Sequence, residues 1–193
     1  MKISKSSAIF NRNESKLKEV KFNEKAYLKG VYDVLSDKNF KISKVEANIA
    51  ISLFEDSIKV EKAIINYQKG QSFLAINKTH KSINVSKTGL QYEKVNDGEG
   101  LKPTMSNRVV VNYKGYTTDN KVFQTNTYNN PDTLLLSETI PGFREGLQLM
   151  TEGSRYKFYI PTELAYGPMP PPNTPIKPMM PVIFEVELIK VLK

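Results

Sequence analysis

The sequence has 193 residues, of which 39% are hydrophobic and 25% charged, a length that suits one large domain or two small ones. It contains no cysteine, which excludes disulfides, thiolate metal sites and a cysteine nucleophile. The net charge of +8 is uneven: residues 1–88 carry 17 basic and 9 acidic side chains, whereas residues 89–193 carry 11 of each. This asymmetry predicts two different modules.

The sequence gives no sign of a membrane span, a signal peptide or a nucleic-acid-binding motif. There is no run of about 18 apolar residues, so no membrane span is expected. Residues 1–16 lack the apolar stretch of a signal peptide, so a cytoplasmic protein is expected, or a periplasmic one if a leader was removed before this numbering. The cations of the first 88 residues are almost all lysine and form no motif, so specific binding of nucleic acid is not expected.

The N-terminal module is predicted to be helical. Residues 1–22 show no clear period and are interpreted as a flexible arm. A helix is expected to start near Asn23 and to end within residues 36–39. One face of it carries apolar residues at helical spacing, namely Tyr27, Val31, Val34 and Leu35.

A second helix follows, opened by a capping box between Ser43 and Glu46. We expect Gly70 to break or bend it. Its apolar stripe comprises Val45, Ile49, Leu53 and Phe54. Two such helices cannot enclose a core alone, so they must pack on another copy or on the second module. Because the apolar positions are spread along the helices, we expect a homodimer.

The pattern changes to strands from Ser82 onward. Pro141 suits the first turn of a short helix. The expected fold class of this part is therefore α+β, an antiparallel sheet with one short helix. The strand-like stretches are "INVSKTGLQYEKV", "NRVVVNYKGYT", "KVFQTN", "TLLLS", "SRYKFYIP" and "PVIFEVELIKVL".

Most catalytic chemistries are excluded by the side chains present. His80, the single histidine, lies in a polar linker, so no histidine-dependent triad can form. The sequence shows no phosphate-binding loop, no dinucleotide fingerprint and no metal-ligand cluster, and no cofactor or metal is expected. Aromatic residues alternating along strands are more often ordinary core than a site.

The second module nevertheless resembles the FKBP-type peptidyl-prolyl cis–trans isomerases. The resemblance rests on "GLQYEKVNDGEG", "VVVNYKGYTTDNKVF", "IPGFREGLQLMTEGSRYKFYIPTELAYG" and "PVIFEVELIKV", which occur in the family's order and cover nearly all of residues 89–193. It implies a bent antiparallel sheet wrapped on a short helix, with an apolar pocket between them that receives proline. Less specifically, "YLKGVYDVL" and "NYQKGQSFLAINK" resemble the helical dimerisation region of Mip-type bacterial FKBPs. The expected organisation is an arm over 1–22, a helical domain over 23–80 and an isomerase domain over 81–193.

The resemblance also assigns site residues. It implies that Phe143 forms the pocket floor, that the Ile140 N–H holds a substrate carbonyl, and that the Tyr166 hydroxyl bonds the substrate backbone. The implied catalytic residues are Tyr113, Phe123, Ile140, Phe143, Tyr166 and Phe184, and the implied substrate-binding residues are Gln124, Thr139 and Ile176. Phe184 and Ile176 remain open to a purely structural interpretation. The seven prolines between residues 163 and 188 are expected to stiffen a loop at the pocket rim.

Three positions depart from the family pattern. Phe143 replaces the usual tryptophan, Gln124 replaces the usual aspartate and Thr139 replaces the usual valine. The first two changes, with a loop richer in proline than the family's usual version, predict slower catalysis and weaker binding of a macrolide, a possible ligand of the pocket. At Thr139 the backbone is still expected to donate to a substrate carbonyl. The expected activity is isomerisation of X-Pro bonds in unfolded or partly folded client proteins. The alternative is a non-enzymatic dimeric chaperone or scaffold with a weakened pocket.

Overall fold

The computed structural model describes residues 44–126 and 130–192, with the backbone alone for residues 44–55 and 57. The chain divides into two units after Ser57, and in the first the structure describes the helix backbone from Lys44 onward and the exposed side chain of Asp56. The helices and strands, in chain order, are α1 Lys44–Asn77, β1 Ile83–Val85, β2 Gln91–Asn96, β3 Arg108–Thr117, β4 Val122–Thr125, β5 Asp132–Leu135, α2 Pro141–Leu149, β6 Arg155–Ile160 and β7 Val182–Leu192.

Within the described residues, seven strands form one antiparallel sheet in the order β1-β2-β6-β7-β3-β4, with β5 also paired to β3. One edge of β3 pairs with β7 over its whole length. The other edge is shared, because β5 pairs with the first half of β3 and β4 with the last part. The predicted α+β class is confirmed.

The main core lies between α2 and one face of the sheet. α2 begins at Pro141, whose fixed φ suits a first helical position, and buries Phe143 and Leu147, which are four residues apart. These pack with inward-facing residues of β6 and β7 such as Phe158 and Val186. Each fully buried side chain of this size contributes roughly 1.5–3 kcal/mol. This packing fixes where α2 begins relative to the strands.

The second face of the sheet is covered by the last part of α1. Leu74 packs with Tyr116, Tyr159 and Ile183 in a small buried cluster, and the ring of Phe73 lies 6.2 Å from that of Tyr159. Of the two possibilities left open by the sequence, packing on another copy or on the second module, this part of α1 takes the second. This part of α1 finds its apolar contacts in its own chain.

The predicted break of the second helix at Gly70 is wrong. α1 runs without interruption from Lys44 to Asn77. Gly70 is buried beneath Pro181, and a Cβ at this position would lie 2.6 Å from the Pro181 Cδ atom. The glycine is therefore explained by a close approach rather than by a helix end.

Some predictions fall outside the described residues. These are the arm over residues 1–22, the helix expected from Asn23, the Ser43–Glu46 capping box and the apolar stripe at Val45, Ile49, Leu53 and Phe54. No helix in the described part of the chain has the length and apolarity needed to cross a membrane.

Candidate active site

Five aromatic rings, from three strands, one helix and one turn, meet at the open end of the main core. We call this set the ring cluster. Phe143 is 4% exposed and lies at its centre, with its ring centroid 4.9 Å from that of Phe184 and 5.9 Å from that of Tyr113. The members are Tyr113 on β3, Phe123 on β4, Phe143 on α2, Tyr166 after β6, and Phe184 on β7.

Phe123 and Tyr166 form the outer part of the ring cluster. The Phe123 centroid lies 5.3 Å from that of Phe184 and 6.3 Å from that of Tyr166, and both pairs meet almost edge to face. Phe123 and Tyr166 are only partly buried, whereas Phe143 and Phe184 are buried. The ring cluster thus offers an apolar surface that is open at one side, as the interior of a proline-binding pocket requires.

A β-bulge directs Phe123 into the ring cluster. Gly115 pairs with Gln124 and Tyr116 pairs with Val122, so Phe123 is the extra residue on β4. Bulges turn a side chain away from strict alternation. Phe123 and Phe184 both lie over Gly115, where a Cβ would be 2.7 Å from atoms of each ring. Sequence reasoning missed Gly115, because its role depends on two partners that are distant along the chain.

The polar groups of the site surround the Tyr113 hydroxyl. Gln124 donates from Nε2 to Tyr113 Oη at 2.7 Å, so the expected substrate-binding amide already has a partner within the protein. Burial raises the pKa of Tyr113 to about 12, and hydrogen bonding to Asp132 adds to the rise. Burial also raises the pKa of Tyr166. Both phenols are therefore protonated at neutral pH.

A backbone donor lies at the start of α2. Ile140 is the N-cap residue and is partly buried against the core. In the described part of the chain, no acceptor lies within hydrogen-bonding distance of the Ile140 N–H. Thr139 differs from our expectation, because its N–H and its hydroxyl both donate to the Leu136 carbonyl, at 3.1 and 2.8 Å. The Thr139 N–H is thus not available to a substrate.

The proline-rich loop is closed upon itself and anchored in the core. The Met179 N–H donates to the Gly167 carbonyl at 2.8 Å, which joins the two ends of the loop. Ile176 is buried and belongs to the main core cluster. Met179 has a positive φ of 61°, a conformation that is uncommon for residues with a side chain. The loop is therefore held in one shape by its own contacts as well as by its prolines.

The described residues contain no group of three or more histidine, cysteine, aspartate or glutamate side chains that could hold a metal ion. His80 is exposed in the turn between α1 and β1, away from the ring cluster in sequence and in the fold. What the site offers chemically is aromatic surface, two phenols and a backbone donor.

Comparison with known proteins agrees with this geometry. The family described as FKBP-type peptidyl-prolyl cis-trans isomerase matches residues 100–189, and the domain amino terminal to FKBP-type peptidyl-prolyl isomerase matches residues 2–93. The outer membrane protein MIP of Legionella longbeachae is 35% identical over 182 residues, which cover 90% of this chain and 78% of that protein. The chain belongs to the FKBP-type peptidyl-prolyl cis–trans isomerase family.

Other FKBP-type proteins match over most of the chain. FkpA of Escherichia coli K12 is 36% identical over 191 residues, covering 92% of this chain and 70% of that protein. The crystal structure of Escherichia coli FkpA superposes with a TM-score of 0.70 at 33% identity, covering 97% of this chain and 93% of that one. A peptidyl-prolyl isomerase structure from Pseudomonas syringae gives 0.63 at 30% identity, covering 67% and 95%.

The FKBP-type protein described here is accordingly a peptidyl-prolyl cis–trans isomerase, as the resemblance implied. The comparisons give no support to the non-enzymatic alternative. Of the nine residues assigned from sequence, the structure brings Tyr113, Phe123, Phe143, Tyr166 and Phe184 into one cluster and packs Ile140 and Ile176 against the same core. Gln124 joins it through Tyr113, and Thr139 precedes Ile140 in the chain.

Proposed function

We propose that the ring cluster binds the proline of an X-Pro sequence and that this FKBP-type isomerase catalyses through the apolar surroundings of the imide bond. The observation that carries this proposal is that five rings, from four elements and one turn, meet at one place, with two of them, Phe123 and Tyr166, only partly buried. Phe143 forms the floor, and Tyr113, Phe123 and Phe184 form the walls. Tyr166 and Ile176 close the side next to the proline-rich loop.

The chemistry needs no acid, base or nucleophile. Rotation about a peptide bond is opposed by a resonance barrier of about 18–20 kcal/mol. The twisted amide at the top of this barrier has lost conjugation and is less dipolar than the planar amide. An apolar pocket therefore costs the transition state less solvation than it costs the ground state, which is the difference that accelerates a reaction.

Two kinds of hydrogen-bond donor suit the two carbonyls that flank the imide nitrogen. The carbonyl of the residue before proline swings as the bond rotates, whereas the carbonyl of proline itself can stay in place. The fixed N–H of Ile140, which has no acceptor in the described part of the chain, suits the stationary carbonyl. The Tyr166 hydroxyl can turn about its C–O bond and so can follow the moving one.

A protease-coupled assay on a succinyl-Ala-Leu-Pro-Phe-nitroanilide peptide tests the assignment. We expect catalysis by the wild type and a loss of at least about tenfold in kcat/KM for Phe123→Ala, because the variant removes a wall of the pocket. Val122→Ala is the matched control, since Val122 is the neighbouring residue, 46% exposed and outside the ring cluster. Equal losses in the two variants would contradict the role given to Phe123.

The clients, assembly and compartment are also proposals. We propose that unfolded or partly folded proteins with exposed X-Pro bonds are the clients, and that the chain works as a homodimer through residues 23–80, with an arm over 1–22 and the isomerase domain over 81–193. On the described part of α1, Val60, Ile64 and Tyr67 are exposed at helical spacing, which supports association. Sedimentation showing only a 21.9 kDa species at micromolar concentration would exclude the dimer.

The name of the Legionella longbeachae relative, outer membrane protein MIP, supports a site of action outside the cytoplasm, and we propose the periplasm over the cytoplasm. Fractionation of the source cells tests this.

A macrolide is a further proposed ligand of the ring cluster. Because Gln124 is engaged with Tyr113 and Phe143 provides less area than tryptophan, we expect weak macrolide inhibition in the same assay.

A further inference from the structure

A carboxylate occupies one core-facing position of β5. In the antiparallel ladder between β5 and β3, Asp132 is opposite Val111 and Leu134 is opposite Val109. Directly opposed side chains lie on the same face of a sheet, and Val109 and Val111 are fully buried. Leu134 accordingly packs against the main core. Asp132 therefore points to the core side as well, at the end of β5 where burial is only partial.

Asp132 lies beside the ring cluster. Tyr113 is two residues beyond Val111 on β3, which makes it the diagonal neighbour of Asp132 across the ladder, a position within reach of a long side chain. Burial raises the pKa of the Tyr113 hydroxyl, and the Asp132 carboxylate raises it further by hydrogen bonding and by charge. Since Gln124 donates to the same hydroxyl, the Tyr113 hydroxyl lies between an amide donor and a carboxylate.

Among the described residues, none supplies a counter-ion to Asp132, since no lysine or arginine in residues 44–126 and 130–192 forms an ion pair with it. Other carboxylates of the sheet do have such partners, as Glu185 has Lys157 at 3.3 Å and Glu187 has Arg155 at 3.7 Å. A partly buried carboxylate beside a binding surface attracts a cation from the ligand when the protein supplies none.

We propose that Asp132 is a specificity-determining residue, which favours X-Pro bonds in which X is lysine or arginine. The inference rests on the proposed function, because it requires the proline ring to be seated on Phe143. With the proline carbonyl on the Ile140 N–H, the residue before proline lies on the side of the two phenols. Asp132 borders that side through Tyr113, so a basic side chain at X can approach the carboxylate.

The test uses the protease-coupled assay with three peptides, succinyl-Ala-X-Pro-Phe-nitroanilide with X as Lys, Leu or Glu. For the full-length wild type we expect kcat/KM for Lys to exceed that for Glu by about two- to fivefold, the effect of a partly exposed ion pair. Asp132→Asn should bring this ratio close to 1 while its amide oxygen can still accept from Tyr113. Asp132→Lys should invert the ratio.

Two controls separate charge selection from a structural effect. Asp97→Asn removes a carboxylate that is paired with Lys94 on the far connection after β2, so it should leave the Lys-to-Glu ratio unchanged. Added salt at about 0.5 M should lower the wild-type ratio but not that of Asp132→Asn. Wild-type turnover of all three peptides at similar rates, or an unchanged ratio in Asp132→Asn, overturns this inference alone. Failure to turn over any of the peptides overturns the proposed function with it.

Discussion

The ring of Pro181, at the end of the proline-rich loop, lies directly on the backbone of Gly70 in α1. A Cβ on Gly70 would lie 2.6 Å from Pro181 Cδ and 2.8 Å from Pro181 Cγ. The neighbouring hydrogen bond from Asn66 Nδ2 to the Pro178 carbonyl, 3.0 Å long, holds the same two segments together. The proline-rich loop therefore has two attachments: Ile176 is buried in the main core, and Pro178 and Pro181 contact α1.

Gly70→Ala should destabilise the protein, although alanine favours a helix over glycine by about 1 kcal/mol. Overpacking of a rigid ring against the new methyl group costs typically about 1–3 kcal/mol, and this effect should prevail. Urea unfolding provides the measurement. The control is Ser72→Ala on the exposed side of α1, where the substitution removes only an exposed hydroxyl bond to the Gln68 carbonyl and the new methyl group meets no ring. A Gly70→Ala variant more stable than the wild type would contradict the close approach.

This contact shows where sequence reasoning failed for the fold. From the local sequence, a glycine within a helical pattern predicts a break in the helix. The close approach of Pro181, more than a hundred residues away, explains Gly70 instead. The strands were predictable because apolar residues recur at alternate positions along them, even where the last part of α1 also covers the second face of the sheet. Pro141 likewise marked the start of α2 correctly. Long-range approaches of backbone to side chain leave no such periodic trace.

Gly115→Ala should reduce catalysis, because a methyl group there would lie 2.7 Å from atoms of the Phe123 and Phe184 rings. These rings must then move, and we expect kcat/KM on the Leu-Pro peptide to fall about tenfold or more. The matched control is Lys114→Ala, one residue away and with an exposed side chain, which should stay within about twofold. Unchanged catalysis in Gly115→Ala would show that the position of the rings is not critical.

Tyr166→Phe isolates the contribution of one hydroxyl. The ring should keep its edge-to-face contact with Phe123, so stability should change little. If the hydroxyl bonds the substrate backbone, kcat/KM should fall about three- to tenfold, the value of one hydrogen bond. Tyr92→Phe, which alters a phenol stacked on Tyr156 at 6.1 Å, is the control in the same peptide assay. A matching loss in both variants would argue against a direct role for Tyr166.

The identities of the site residues were predictable from sequence motifs, but the strand pairing that orients them was not. The rings of Tyr113, Phe123 and Phe143 stood out because the motifs that contain them are contiguous in sequence. The bulge that turns Phe123 inward and the register that turns Asp132 inward were not predictable, because both depend on how β4 and β5 pair with β3. The expected strand "TLLLS" begins one residue after Asp132, whereas β5 begins at Asp132 itself.

The pH dependence of catalysis should be flat between about pH 6 and 9, because the proposed chemistry transfers no proton. Stability should behave differently at high pH. The pKa of Tyr113 is raised from 10.0 to about 12 on folding, first by burial, so the folded state holds this proton more tightly. Its contribution is fully present below about pH 10 and is lost as pH rises towards 12. The urea concentration at the unfolding midpoint should therefore decrease more between pH 8 and pH 11 for the wild type than for Tyr113→Phe.

Glu152 should stabilise the isomerase domain through its charge. Its carboxylate accepts hydrogen bonds from the backbone N–H groups of Val191 and Leu101, and these bonds, the Val191 one foremost, lower its pKa. Because the folded pKa lies below the unfolded one, the contribution is present above the unfolded value and is lost as pH falls through the folded value. Glu152→Ala should thus lower Tm at pH 7, and its difference from the wild type should narrow below about pH 4. Glu99→Ala, an exposed carboxylate near the same turn, should show neither effect. A Tm difference that is independent of pH would mean that Glu152 acts by packing alone.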